Sequence, residues 1–297
     1  MKIAKKALKL ADAFAVRHGD SFRLKDYDPS DTPGVRSKEQ AALLLQQSIS
    51  FLRELQEKLY AQDQWSLLVI IQAMDAAGKD SLIKHVMSGV NPQGCQVASF
   101  KQPSTEELDH DYMWRAVRQL PQRGNIGIFN RSYYEEVLVV RVHQELLVKQ
   151  HLPAELITKK IWKHRYQDIS NFESYLSRNG TVIRKFFLHV SKEEQKRRFL
   201  ARLDEPEKNW KFSEADVRER EHWDEYRQAY EDMIRHTATP EAPWYVVPAD
   251  HKWFTHIVVS SAIIQTLKEL KLEYPTVDKE RRKELQAARK TLLQEKD

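Results

Sequence analysis

Hydrophobic positions along this chain follow two periods in turn. From Ser37 to about Tyr60 the apolar residues Leu43, Leu44, Ile49, Leu52, Leu55 and Leu59 recur every three or four positions, which predicts a helix with one apolar stripe. Residues 67–74, LLVIIQAM, are an almost unbroken β-branched and aliphatic run, the pattern of a strand buried on both faces. Gly78 and Lys79 then open a helix. The alternation continues with strands at 96–100, 126–129, 182–190 and 244–248. Helices are predicted at 105–119, 131–148, 154–177, 191–203 and 253–271. Five short strands separated by helices predict an α/β fold, a five-stranded parallel sheet with helices on both faces. No Pro/Gly/Ser linker divides residues 37–275, so they are read as one domain. An arm, 1–36, precedes it, with an amphipathic helix over 3–15, and a polar helical tail, 276–297, follows.

Composition changes this picture little. Apolar residues make up 41% of the 297, enough for a sizeable core, and charged residues make up 31%. The formal net charge of +5 favours a polyanionic partner only if the charge is concentrated somewhere. Cys95 is the only cysteine, so no intramolecular disulfide forms, which suits a reducing compartment. The eleven histidines show no zinc-ligand spacing. No apolar run is long enough for a signal peptide or a membrane span. A cytoplasmic protein that binds neither membrane nor nucleic acid is expected, and a homo-oligomer, dimer or tetramer.

The candidate chemistry gathers after the strands. Ala73-Met74-Asp75-Ala76-Ala77-Gly78-Lys79-Asp80 lies where the first buried strand turns into a helix. Phosphate-binding loops occupy this place because successive backbone N–H groups and the helix N-terminus surround an anion while a Lys adds a point charge. Against the pattern GxxxxGK[ST], Ala73 replaces the first Gly and Asp80 the Ser/Thr. Ala76, Ala77, Gly78, Lys79, Asp80 and, further along the helix, Lys84 are the phosphate-binding candidates. Ile128-Phe129-Asn130-Arg131-Ser132-Tyr133 follows another strand and should emerge at the same edge of the sheet. Asn130 stands where an acidic residue is expected, which leaves Asp75, Asp80 and Glu135 as candidate carboxylates for Mg²⁺. Arg131 is placed to stabilise a transferring phosphoryl group.

Between Lys192 and Arg220, Lys196, Arg197, Arg198, Arg202, Lys208, Lys211, Arg218 and Arg220 crowd together, with Trp210 and Phe212 between them. The segment reads as a lid over phosphates. It also holds eight acidic residues, so a salt-bridged helix pair is the competing reading. Lys101, after the second strand, and Arg115, on the next helix, are candidates with Asn130 for the nucleotide.

Taken together, AMDAAGKD (73–80), NPQG (91–94), FKQPS (100–104), HDYMWR (110–115), IGIFNRSYYEEVLVVRVH (126–143), FFLHVSKEEQKRRF (186–199), NWKFSEAD (209–216) and APWYVVPADHKWF (242–254) resemble the polyphosphate kinase 2 family. The resemblance covers nearly the whole chain beyond the arm. It implies a P-loop kinase-like fold similar to thymidylate kinase, with a helical lid at about 204–222. It also implies phosphoryl transfer between inorganic polyphosphate and nucleotides with Mg²⁺ or Mn²⁺. Asp75 and Lys79 take the core loop roles, and Arg131 meets phosphate. Independently of the resemblance, Lys208 and Lys211, in the expected lid beside Trp210, are phosphate-binding candidates, since a polymer lying across the site needs a row of cations beyond the loop. Asn130 with Glu135 is similar to the subgroup that extends both nucleoside mono- and diphosphates. Two readings compete with this one. An ATP-dependent nucleotide kinase is disfavoured by the missing GKS/GKT. A non-enzymatic nucleic-acid or polyanion binder lacks a recognisable module.

Overall fold

The computed structural model describes residues 10–295. Its sheet has six strands: β1 (Ala15–Val16), β2 (Ser66–Ala73), β3 (Cys95–Ser99), β4 (Ile126–Asn130), β5 (Thr181–His189) and β6 (Trp244–Pro248), in the order β1-β6-β5-β2-β4-β3. The five expected strands are all present and mutually parallel. The sixth, β1, corrects the count and makes the sheet mixed: it runs antiparallel to β6, pairing Ala15 with Tyr245 and Val16 with Trp244. Two residues are too few to show a period-two pattern, so only the pairing reveals it.

Helices of eight residues or more are α1 (Lys38–Gln62), α2 (Lys79–Val86), α3 (Ile161–Arg178), α4 (Lys192–Asp204), α5 (Trp223–Thr237), α6 (Lys252–Glu269) and α7 (Lys279–Leu292). Alternate residues of the central strand β2 feed the two faces of the sheet. Leu67, Val69 and Ile71 join Leu44, Leu52 and Leu59 of α1 and the apolar side of α6 in one core. Leu68 and Ile70 join Ile169 of α3 and Met233 and Ile234 of α5 in the other. Of the apolar stripe expected on α1, Leu43 faces solvent.

Three expected helices are shorter than the periodicity suggests. Residues 105–119 hold two single turns, Thr105–Leu108 and Trp114–Val117. The Asp111 carboxylate between them takes the Met113 N–H, a local bond that competes with a continuous helix. Residues 131–148 break into 3₁₀ turns, Tyr133–Val137 and Gln144–Gln150, around one helical turn, Val139–Val142. The Ser132 hydroxyl capturing the Tyr134 N–H and a run of β-branched valines both disfavour helix there. The helix expected from 154 begins only at Ile161, after a 3₁₀ turn at Ala154–Leu156.

Of the helix expected over 3–15, residues 3–9 lie outside the described residues and Leu10–Phe14 is a 3₁₀ turn. The described part of the arm is built into the fold, with Phe14, Val16, Phe22 and Leu24 buried. Among the described residues no helix is long and apolar enough to cross a membrane.

Candidate functional site

β2 and β4 end side by side at the carboxyl edge of the sheet, where open α/β sheets bind ligands. The loop 74–78 leaves β2 there and enters α2 through Gly78, whose φ of +111° lies in a region that glycine tolerates best. Ala76 (φ +57°) and Arg131 (φ +63°) hold left-handed backbone without being glycine, a strain that persists only where the surroundings impose it. A cleft of about 880 Å³ opens over this loop. Ten of its lining residues are Lys or Arg and five are Asp or Glu, so the walls are built for an anion.

The structure gathers most of the predicted residues around that cleft. Lys79 donates to the carbonyls of Ala73 (2.9 Å) and Met74 (3.4 Å). Burial, followed by the Arg131 charge, pushes its pKa below the usual lysine value. Arg131 donates to Asp75 at 3.0 Å and lies 3.6 Å from Glu135. Burial disfavours the Arg131 charge, but Glu135 and Asp75 outweigh it and raise the pKa. Asn130 donates to Asp80 at 2.9 Å, which ties the end of β4 to the first turn of α2, while its own side-chain oxygen is buried without a partner. Asp75, Ala76, Gly78, Lys79, Asp80, Lys101, Asn130 and Arg131 all line the cleft, as do Lys208 and Lys211.

Other candidates sit elsewhere. Ala77 is buried. Glu135 lies behind Arg131, accepts from Gln72 at 3.1 Å, and has its pKa raised chiefly by burial. Lys84 is exposed on α2, away from the cleft lining. Arg115 is buried; it donates to the Lys101 carbonyl at 2.8 Å and lies 5.5 Å from the Phe100 ring centroid, so it braces the segment that carries Lys101.

Asp75 and Asp80 are the predicted metal carboxylates that face the cleft. With Glu135 they do not form a three-ligand cluster, and no group of three His, Cys, Asp or Glu is arranged for a metal among the described residues. Two carboxylates beside a cationic cleft nevertheless fit Mg²⁺, which is commonly held by one or two carboxylates together with substrate phosphates and waters.

The basic segment after β5 divides by role. Arg198 of α4 spends its guanidinium on five bonds. Nη1 donates to the carbonyls of Ala76 (3.0 Å) and Ala77 (2.7 Å), Nη2 to those of Ala249 (2.6 Å) and Asp250 (3.1 Å), and Nε to Glu194 (2.7 Å). Gln195, beside it, donates to the Asp75 carbonyl at 2.9 Å. These bonds draw the loop's carbonyls toward α4. Arg202 pairs with Asp216 and Lys208 with Glu205, so salt bridges do hold part of the expected lid. That segment, Pro206 to His222, consists of a 3₁₀ turn, one short helix and a second 3₁₀ turn. Lys211 lies 4.9 Å from the Trp210 ring centroid, and Trp210 is 78% exposed.

Sequence reasoning missed Lys38, Gln195 and Lys252. Lys252 follows β6 at the same edge, and the rule that singled out Asn130 would have found it. Gln195 and Lys38, on helix turns, carry no such signal.

A mostly parallel sheet whose central strand runs into a Lys-bearing, strained loop under a cationic cleft defines a P-loop-type phosphoryl-transfer protein. Within that class, the family profile of polyphosphate kinase 2 matches residues 35–275, and the chain belongs to that family. It is 52% identical over 281 residues to the ADP-polyphosphate phosphotransferase of Rhodopseudomonas palustris, covering 94% of this chain and 97% of the relative. It is 46% identical over 263 residues to the AMP/ADP-polyphosphate phosphotransferase of Meiothermus ruber, covering 88% and 94%. The crystal structure of polyphosphate kinase 2 from Arthrobacter aurescens superposes with a TM-score of 0.84 at 41% identity, covering 91% of this chain and 92% of that one.

Proposed function

We propose that this protein transfers the terminal phosphoryl group of inorganic polyphosphate to ADP and to AMP, giving ATP and ADP. The observation that carries the reading is the Asp75–Arg131 pair beside Lys79, at the mouth of a cationic cleft, in a chain that belongs to the polyphosphate kinase 2 family. A terminal phosphate oxygen of the nucleotide attacks the terminal phosphorus of the polymer. As that P–O bond forms, the anhydride bond to the next unit breaks, and the polymer leaves one unit shorter.

Lys79 and Arg131 offset charge on the transferring group, and the free N–H groups at the start of α2 orient it. Asp75 holds Arg131 in position until phosphate competes for the guanidinium. Asp80 and Asn130 fix the far wall of the loop. Asp75 and Asp80 would hold a Mg²⁺ or Mn²⁺ ion, which when bound neutralises negative charge on the two phosphate groups brought together. Lys208 and Lys211 extend the cationic track toward the lid at about 204–222, where the rest of the polymer lies. The working unit is proposed to be a cytoplasmic homo-oligomer.

The test uses polyphosphate as sole donor, with ATP excluded, and ADP or AMP as acceptor. ATP forming from ADP, and ADP from AMP, is the expected result. Turnover only when ATP is the donor would replace this reading with an ordinary nucleotide kinase.

A further inference from the structure

Besides the cleft, positive charge is concentrated at a second place. α7, Lys279–Leu292, has six basic and two acidic residues, a net +4, against +5 for all 297 residues. The rest of the protein is therefore close to neutral. No residue of α7 is buried, and the Asp278 side chain caps it by accepting the Arg281 N–H. Just upstream, Tyr274 reaches Glu57 of α1 at 3.4 Å.

At about 100° per residue, Lys279, Arg282, Lys283, Arg289 and Lys290 fall on one arc of about 120° that contains no acidic side chain. None of these five forms an ion pair with a carboxylate among the described residues. Arg281, off the arc, does so, at 2.7 Å from Glu284. The apolar stripe, Leu285, Ala288 and Leu292, is narrow and short, too little for a helical partner's seam. An isolated helix of this length is marginal in water, and its unpaired cations gain most from a flexible polyanion laid along the arc.

We propose that the basic arc of α7 is a second polyphosphate-binding surface, which holds the distal part of a long chain while its end reacts in the cleft. This rests on the proposed donor. It differs from the cleft in a measurable way, because only a polymer long enough to reach both sites gains from it.

The test compares the full chain with a variant carrying Gln at Arg282, Lys283, Arg289 and Lys290. Gln is a good helix former, so α7 is retained. Long-chain polyphosphate is titrated at two salt concentrations without nucleotide, and turnover is measured with long polymer and with a chain of a few units. Loss of four contacts should weaken long-chain binding and raise its KM about tenfold, and make the log–log salt slope shallower by about 3. Short-chain KM and kcat should not change. Arg281→Gln should do nothing, and a chain ending at residue 276 should match the quadruple variant with an unchanged melt.

An unchanged long-chain affinity and slope overturns the proposal, as does an equal loss for short chains. If duplex DNA affinity falls instead, the arc serves nucleic acid and the proposal also fails. The titration needs no turnover, so it decides the arc even if the parent proves not to use polyphosphate as donor.

Discussion

Replacing Arg198 tests whether the phosphate loop works because its backbone is held. The five donors of this guanidinium meet five oxygens, four of them backbone carbonyls from the loop and from the turn after β6. Arg198→Ala releases all of them. Glu194 keeps Arg197 at 2.6 Å, so no carboxylate is orphaned, and water from the cleft reaches some of the freed carbonyls. The stability cost should then fall at the low end for a broken buried pair, about 3 kcal/mol. For a domain of this size that lowers Tm by about 6–12 °C. Activity should suffer more than stability: displacing a loop by about 1 Å can cost about a hundredfold. The expected kcat/KM for polyphosphate and ADP is therefore down by about 10² at a temperature where the variant is still folded. Arg198→Lys keeps the charge but cannot span both loops, and should recover less than a tenth of the loss. The assay is steady-state transfer alongside a thermal melt. Parental kcat/KM in either variant, with a lowered Tm, would refute the argument that the bracket orders the loop. Full recovery by Lys would show that only the charge matters.

Lys79→Ala should lower kcat by at least about 10² while leaving the melt unchanged, because the ammonium bonds only carbonyls at the cleft; transfer assays and calorimetry check both. Lys185→Met should destabilise by about 3–5 kcal/mol, since it strands Glu173 in the core beside the Tyr133 and Tyr134 hydroxyls; Glu173→Gln added to it should recover part of that in denaturant titrations. Acid should also weaken the fold through His256, whose pKa is pushed down to about 4 by burial, then by His85 and Lys252. Between pH 6.5 and about 4 the unfolded chain takes up a proton that the folded chain refuses, so stability falls with falling pH, by up to about 3 kcal/mol. His256→Gln should remove that part of the slope; an identical pH profile in the variant would contradict it.

The sequence by itself marked the five parallel strands, most clearly the central one, because a strand buried on both faces reads as a mainly apolar run, as LLVII (67–71) does. It also marked the loop 73–80 and the Asn130–Arg131 turn, since chain leaving a buried strand has to become polar at the sheet edge. Tertiary structure alone decided the rest. A two-residue strand has no pattern of its own, and β1 exists only because Trp244 and Tyr245 offer an edge. The expected helices at 105–119 and 131–148 gave way to side-chain bonds from Asp111 and Ser132 that outcompete periodicity locally. Basic residues alike in sequence took different tasks: Arg198 brackets the loop, Arg115 braces Lys101, Lys84 stays in solvent, and Lys38 and Lys252 reach the cleft from distant segments. Charge is written in the sequence, but the partner each charge meets depends on which strands lie side by side, and that is set by packing across the two faces of the sheet.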